Sequence, residues 1–291
     1  LSQVEAIMKK SMARCIDLCM EDFASGKSRN QWMQDWIGQA VIAVNQTMWT
    51  QEVEAAIREG EADPGSGTAK LAKALEAGVL KTVEVIRDPK VRKRLRTSIG
   101  ALIVMDVHNK EMVKELTVLK TARTTDFDWQ AQLRYYWKEG GESAVSGYPG
   151  TLDCCMINAN VLYAYEYVGN TSRLVITPLT DQCYRTLISA IHLNYGGAPE
   201  GPAGTGKTET TKDLGRAIAI QCVVTNCSDG LTYQAMEKFF RGLAASGAWA
   251  CFDEFNRIQL EVLSVIAQQV LTIQTAKAQN LKRFMFFGTE L

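Results

Sequence analysis

The sequence predicts an α/β protein in which a helical segment is followed by a parallel sheet flanked by helices. Through most of the first 118 residues, apolar residues recur every three or four positions, which is the spacing of amphipathic helices. The second half instead contains short apolar runs of strand length. A glycine-rich loop followed by helical spacing accompanies these runs, as in many α/β proteins.

Four helices are expected in the first part of the chain. Gly26 ends the first of them, and Ser28 with Gln31 forms a capping-box pattern ahead of the second. A turn cluster at residues 63–67 separates the second helix from the third. The predicted helices cover residues 4–23, 32–57, 71–86 and 91–118.

The pattern changes near Trp129. We predict a strand at residues 133–137, a Gly-rich turn at 140–150, and further strands between residues 157 and 168. A change from helical to strand spacing is typical of a domain boundary, so we predict one domain over residues 1–162 and a second over residues 163–291.

The composition excludes several classes of protein. The 291 residues are 46% apolar and 22% charged, with 32 basic and 32 acidic side chains, as in an ordinary globular protein. Neither half has the basic excess that attracts nucleic acid or a membrane surface, so we expect neither partner. No apolar run reaches the roughly 18 residues that cross a bilayer, and the start of the chain lacks a signal-peptide pattern. We therefore expect a cytoplasmic protein.

The eight cysteines do not form a metal-binding pattern. They contain no C-x-x-C pair, and the chain has only two histidines. We expect buried thiols that behave as small apolar side chains in a reducing compartment.

Residues 201–208 carry the phosphate-binding motif G-x-x-x-x-G-K-[ST]. In this motif backbone N–H groups surround a phosphate, Lys207 brings a positive charge to the β- and γ-phosphates, and Thr208 offers its hydroxyl to Mg²⁺. A helix is expected from residue 208, and a short strand at 196–200; a plain Gly-rich turn is the alternative. The candidate ATP- or ADP-binding residues here are Gly201, Pro202, Ala203, Gly204, Thr205, Gly206, Lys207, Thr208 and Glu209.

A second motif lies 46 positions after Lys207 (253 − 207). Residues 248–252 form an apolar run of strand length that ends in Asp253 and Glu254, which is the arrangement of a Walker B motif. Asp253 is the candidate Mg²⁺ ligand, and Glu254 is the candidate general base that polarises the attacking water. A solvated turn at the end of a strand is the alternative.

Two more segments are candidate nucleotide contacts. Residues 221–226 predict a buried parallel strand, and Asn226 at its end can contact Glu254 or the γ-phosphate, with strand-end capping as the alternative. An apolar stretch upstream can lie against the adenine ring, or can simply connect a strand to a helix that Thr180 or Asp181 caps. The candidate adenine contacts in this stretch are Leu174, Val175, Pro178 and Leu179.

Several stretches resemble the first AAA+ module of dynein heavy chains. They are GAPEGPAGTGKTETTK at 197–212, NCSDG at 226–230 and GAWACFDEFNR at 247–257. RLVITPLTD at 173–181 resembles the entry into that module, and WTQEVE at 49–54 with LRYYW at 133–137 resembles the end of the dynein linker. The stretch from 163 to 181 is closer to axonemal than to cytoplasmic dyneins.

The resemblance implies a motor ATPase. It makes residues 1–162 the C-terminal part of the linker and residues 163–291 the first part of the AAA+ module, with Mg-ATP bound at 201–208 and Lys207, Asn226 and Glu254 in catalytic roles. Hydrolysis in the parent heavy chain would bend the linker and drive movement toward microtubule minus ends, in a cilium or flagellum if the chain is axonemal. The implied partners are further AAA+ modules, microtubules bound through a stalk, and intermediate and light chains bound through a tail.

We expect the 291 residues to be a fragment, because the resemblance implies an arginine finger from a neighbouring module. Arg257 is too close to Glu254 in the chain to act as that finger, and we expect it to make an inter-module or packing contact. Phe287, in FFGTE at 286–290, stands where the family usually has an acidic residue.

Two other functions are weighed against the motor. A nucleotide-binding structural module that does not hydrolyse ATP is disfavoured by the presence of Glu254. A metal-dependent phosphohydrolase that uses Asp253 and Glu254 without the loop would need more acids or histidines nearby.

Overall fold

The computed structural model describes residues 2–89, 91–140, 145, 147–169, 172–202, 204–228 and 230–291. The chain divides into two compact units, residues 1–185 and residues 186–291. This division falls within a helix, α7 (Pro178–His192). The domain boundary that we predict between residues 162 and 163 lies upstream of it and stays a prediction.

The first unit is mainly helical, as predicted. Helix α3 contacts α1, α4, α5 and the first strand. Its inner face carries Trp49 and Val53, and the Trp49 ring meets the edge of Trp129 at 5.4 Å between ring centroids. The helices are α1 (Ser2–Ala24), α2 (Arg29–Asp35), α3 (Gly38–Glu59), α4 (Ser66–Arg87), α5 (Lys93–Val118) and α6 (Phe127–Gln130). None of the helices in the described ranges has both the length and the apolar character that a bilayer crossing requires.

The helix predicted over residues 32–57 is wrong, because it consists of two helices. The chain breaks at Trp36 and Ile37, which both have extended backbone. The Trp36 indole donates a hydrogen bond to the Asp22 carboxylate of α1 at 2.8 Å, and Gly38 directly follows the break as the first residue of α3. The predicted cap at Ser28 is confirmed, since its side chain accepts from the Gln31 backbone N–H at 3.4 Å.

A three-stranded antiparallel sheet completes the first unit. It consists of β1 (Arg134–Glu139), β2 (Gly150–Met156) and β3 (Ala159–Leu162), in the order β1-β2-β3. Sequence analysis predicts β1 and β3 but misses β2, and it wrongly extends the last strand to residue 168. Residues 151–154 of β2 do alternate between polar and apolar, and Leu152, Cys154 and Met156 are fully buried, so the strand signal is present in the sequence.

The second unit contains a parallel pair of strands, as predicted. Strand β4 (Cys222–Asn226) pairs with β5 (Trp249–Asp253), and the register places Asn226 opposite Asp253. The other elements are α8 (Lys207–Ala217), α9 (Tyr233–Ser246), a 3₁₀ turn (Phe255–Arg257), α10 (Leu260–Ala278) and a hairpin of β6 (Met285–Phe286) and β7 (Thr289–Glu290).

Helices cover both faces of this strand pair. Cys251 faces α8, where the Thr211 side chain lies in hydrogen-bonding contact with its thiol. The next residue, Phe252, points the other way and packs at a tilt against Phe240 of α9, at 5.6 Å between ring centroids. Alternate residues of β5 therefore pack on opposite layers, as expected for a parallel sheet flanked by helices.

The strand predicted at residues 196–200 is wrong. These residues have no regular secondary structure. Gly196 and Gly197 have little β-propensity, and Pro199 has no N–H to donate to a neighbouring strand. The approach to the glycine-rich loop is therefore an irregular segment.

Candidate functional site

The glycine-rich loop leads directly into a helix. Gly206 is the N-cap of α8, with φ 81° and ψ 17°, a left-handed conformation that disfavours side chains. The first N–H groups of α8 have no partner inside the helix, and the helix dipole is positive at this end. The geometry at residues 206–208 is therefore that of an anion site, as the motif predicts. Ala203 lies outside the described residues.

Lys207 closes the loop on itself. Its ammonium donates to the carbonyl oxygens of Gly201 at 2.8 Å and Pro202 at 2.7 Å, and the Thr205 hydroxyl donates to the same Pro202 oxygen at 2.9 Å. An ammonium group has three protons, so one remains for a phosphate oxygen. The loop is thus held in a closed shape by the residue that also carries the positive charge of the motif.

Three threonines in α8 differ in what their hydroxyls do. Thr210 and Thr211 donate to the backbone carbonyls of Gly206 and Lys207, at 2.8 and 3.2 Å. Thr208 makes no side-chain hydrogen bond within the described part of the chain. The one hydroxyl of the three that is left free is the one that the motif assigns to Mg²⁺.

The packing of α8 directs its N-terminal end, which carries Thr208, toward the end of β5. At the C-terminal end of α8, Gly215 lies against the first residues of both strands: a Cβ built on it would be 3.4 Å from the Cys222 Cβ and 3.7 Å from the Trp249 ring. One turn earlier, Thr211 meets Cys251. Continuing in the same direction, about 4.5 Å along the helix and about 6.6 Å along the strand, leads to Thr208 and Asp253.

Asp253 has the chemistry of a magnesium ligand. One carboxylate oxygen accepts the backbone N–H of Glu254 at 3.1 Å, and the other has no hydrogen bond to a described residue. A free carboxylate oxygen and a free threonine hydroxyl both suit Mg²⁺, which prefers oxygen ligands.

Glu254 has unusual backbone geometry for a residue with a side chain. Its φ is 54° and its ψ 41°, in the left-handed region that costs a residue other than glycine about 1 to 3 kcal/mol. Its carboxylate is ion-paired with Arg257, at 3.4 Å from Oε2 to Nε. Sequence analysis expects Arg257 to make an inter-module or packing contact and therefore misses this pair.

Asn226 lies beside Asp253 in the sheet, as its place at the end of β4 predicts. Its side chain makes no hydrogen bond to Glu254 within the described part of the chain. A contact of Asn226 with the γ-phosphate stays a prediction. Glu209 is exposed and pairs with Lys212 at 2.6 Å, and its contact with the nucleotide stays a prediction.

The predicted adenine-contacting stretch opens α7. Pro178 is the first residue of that helix, and Val175 and Leu179 are each 67% exposed. Thr177 is the N-cap of α7, and its side chain and that of Thr180 accept each other's backbone N–H at 3.3 and 2.7 Å, so Thr180 takes part in the cap as expected. Contact of Leu174 and its neighbours with adenine stays a prediction.

Asp181, in the first turn of α7, is buried. Desolvation raises the pKa of its carboxyl to about 6, and the nearby Arg185 opposes that shift.

Comparisons with known proteins decide the family. Residues 163–291 match the family described as the hydrolytic ATP binding site of dynein motor region. Over the whole chain, it is 53% identical to dynein axonemal heavy chain 12 of Homo sapiens, 52% identical to dynein axonemal heavy chain 3 of Mus musculus and 48% identical to dynein axonemal heavy chain 1 of Homo sapiens.

The chain belongs to the dynein heavy chain family. Its 291 residues span 9%, 7% and 6% of the lengths of those three relatives. The predicted resemblance is thereby confirmed, including its axonemal character. Within this dynein segment, Phe287 occupies the turn between β6 and β7 with φ 44°, and its carbonyl accepts a hydrogen bond from Arg241 at 3.2 Å.

Proposed function

We propose that this dynein segment binds Mg-ATP at residues 201–208, and that the heavy chain containing it hydrolyses ATP to bend the linker and move toward microtubule minus ends. One observation carries the proposal. Lys207 holds the loop closed while keeping one proton free, and the free Thr208 hydroxyl and Asp253 oxygen lie toward the same end of the strand pair.

Each residue then has a defined task. The N–H groups at the start of α8 and the remaining Lys207 proton bind and orient the phosphates. Thr208 and Asp253 would hold Mg²⁺, which when bound neutralises phosphate charge. Glu254 accepts a proton from the attacking water as general base. Asn226 orients the γ-phosphate, and the adenine ring lies against Leu174, Val175, Pro178 and Leu179.

The wider roles extend the same proposal. Residues 1–162 act as the end of the linker, and residues 163–291 as the first part of the AAA+ module. The remaining AAA+ modules of the heavy chain are its immediate partners, and microtubules and the intermediate and light chains are partners of the whole motor. The similarity to axonemal heavy chains favours a place in the axoneme of a cilium or flagellum.

A nucleotide-binding module that does not hydrolyse ATP is the second candidate. Such a module would use the loop and Asp253 but would have no need of a general base. Glu254, held by a strained backbone at the end of β5, favours hydrolysis.

The loop assignment is tested with Lys207→Ala. We expect this variant of the full-length heavy chain to lose binding of a fluorescent ATP analogue, because the phosphates lose their cation and the loop loses its bridge. Lys238→Ala, which removes an exposed lysine of α9, is the matched control and should bind as the parent does. Near-parental affinity of Lys207→Ala would reject the site.

Hydrolysis is tested separately with Glu254→Gln in single-turnover measurements. Loss of a general base typically lowers the rate by about 10²- to 10⁴-fold while the phosphate contacts remain. We therefore expect bound but unhydrolysed ATP. A variant that hydrolyses at the parental rate would favour the second candidate or another base.

A further inference from the structure

We propose that Arg257 is a positioning residue that orients the Glu254 carboxylate for its role as general base. The inference rests on the proposed function, since it concerns the base of that reaction. It begins with the position of Arg257 on the short 3₁₀ turn (Phe255–Arg257) that follows Glu254. Glu254 is the N-cap of this turn, and the turn brings the Arg257 guanidinium back to the Glu254 carboxylate, at 3.4 Å from Nε to Oε2.

The backbone of Glu254 is held at several points. Its N–H donates to the Asp253 carboxylate at 3.1 Å, and its carbonyl oxygen accepts the Arg257 N–H at 3.0 Å. These bonds maintain the left-handed conformation despite its cost. With the backbone fixed, the Glu254 carboxylate can move only by rotation about its side-chain bonds.

Arg257 restricts that freedom. Its Nε lies 3.4 Å from Oε2 of Glu254, while Oε1 has no hydrogen bond to a described residue. One oxygen is therefore tethered, and the other stays available to accept a proton from water. Catalytic bases are commonly oriented by a third group in this way.

Two other polar side chains near the site do not provide this tether. Lys207 directs two of its protons to the carbonyls of its own loop. Asn226 makes no hydrogen bond to Glu254 among the residues that the structure describes. Within that part of the chain, Arg257 is the basic side chain that pairs with the base.

The experiment uses the full-length heavy chain and single-turnover hydrolysis. Exposed ion pairs contribute little energy, so Arg257→Ala should lower the rate by about twofold to fivefold. Affinity for a fluorescent ATP analogue should be unchanged, which also shows that the variant is folded. Arg257→Lys, which keeps the charge, should recover part of the rate. Arg283→Ala removes another exposed arginine, 3.8 Å from Glu290, and should hydrolyse as the parent does.

The decisive measurement is Arg257→Ala in a Glu254→Gln background. If Arg257 acts through the carboxylate, the double variant should hydrolyse ATP as slowly as Glu254→Gln alone. An equal fractional loss in both backgrounds, or no loss in either, would overturn the inference. If the parent does not hydrolyse ATP, or Glu254→Gln hydrolyses it at the parental rate, the proposed function itself fails.

Discussion

The Thr208 hydroxyl is expected to bind Mg²⁺ without contributing to the stability of the fold. Because this hydroxyl makes no hydrogen bond to a described residue, Thr208→Val should change the free energy of unfolding by less than about 0.5 kcal/mol. With Mg²⁺ present, affinity for an ATP analogue should fall at least about tenfold, the scale on which even outer-shell partners of a metal act.

The two Thr208 effects are separated by chelation. With excess EDTA, the Thr208→Val variant and the parent should bind the analogue equally. Thr272→Val, which removes an exposed hydroxyl that donates to the Gln268 carbonyl at 2.8 Å in α10, is the matched control. Equal Mg²⁺ dependence in parent and variant would contradict the assignment of Thr208.

Asp181 makes stability depend on pH. In the unfolded chain its carboxyl has an ordinary pKa of 3.8, whereas burial raises the folded-state pKa to about 6. The folded state therefore binds more protons between these values, and stability falls as the pH rises through that window. Above about pH 6 the buried carboxylate is charged, and its burial then lowers the free energy of unfolding by the full amount.

Asp181→Asn removes this penalty. We expect the free energy of unfolding to rise by about 1 to 3 kcal/mol at pH 7.5, and the difference to vanish near pH 4. Thermal or urea unfolding at several pH values measures it, with Asp63→Asn at an exposed turn position as control. A gain that is the same at pH 4 and 7.5 would show that the ionisation of Asp181 is not its cause.

At the scale of elements, Gly215 sets the distance between α8 and the strand pair. A Cβ at this position would lie 3.1 Å from the Ile220 carbonyl oxygen and 3.4 Å from the Cys222 Cβ. Gly215→Val should therefore push the helix away from the sheet and destabilise the protein by about 1 to 3 kcal/mol. ATP affinity should fall as well, because α8 positions Thr208 relative to Asp253.

Gly242, inside α9, is the control position for Gly215. A Cβ there would meet no atom within 4 Å, so Gly242→Ala should stabilise the helix by about 0.5 to 1 kcal/mol. Denaturant unfolding and nucleotide titration of both variants test the pair. If Gly215→Val is as stable as the parent and binds ATP normally, α8 does not need this close approach.

At the scale of the whole molecule, the segment and the complete motor should differ in turnover. An arginine supplied by a neighbouring module in such ATPases contributes about 10³- to 10⁵-fold in rate. Arg257 pairs with Glu254 and is not expected to replace the arginine of the neighbouring module. The 291-residue segment by itself should therefore bind ATP weakly and hydrolyse it negligibly. Fast phosphate release from the segment, lost in Glu254→Gln, would show that it holds a complete site.

Local motifs allowed much of this molecule to be predicted. The phosphate loop, the strand before Asp253 and the family were readable because their residues are adjacent in the chain and each has a direct physical role. A glycine within α8 was a signal that could have revealed the close approach of helix and sheet, since an isolated helical glycine often has a packing reason. Glu254 and Arg257 are only three positions apart, but the sequence does not show that they pair, because the 3₁₀ turn between them is what brings the two side chains together.

The sequence by itself determined the α/β class and the dynein family, and it predicts the residues that we propose to bind phosphate and magnesium, because these depend on side-chain chemistry at short spacing. The tertiary structure alone decided the break between α2 and α3 and the free state of the Thr208 hydroxyl. The physical reason is that each of these depends on partners distant in sequence or on local backbone geometry. At the break after α2 the Trp36 indole bonds to Asp22, 14 positions earlier in the chain, and the spacing of residues 32–57 does not contain that partner.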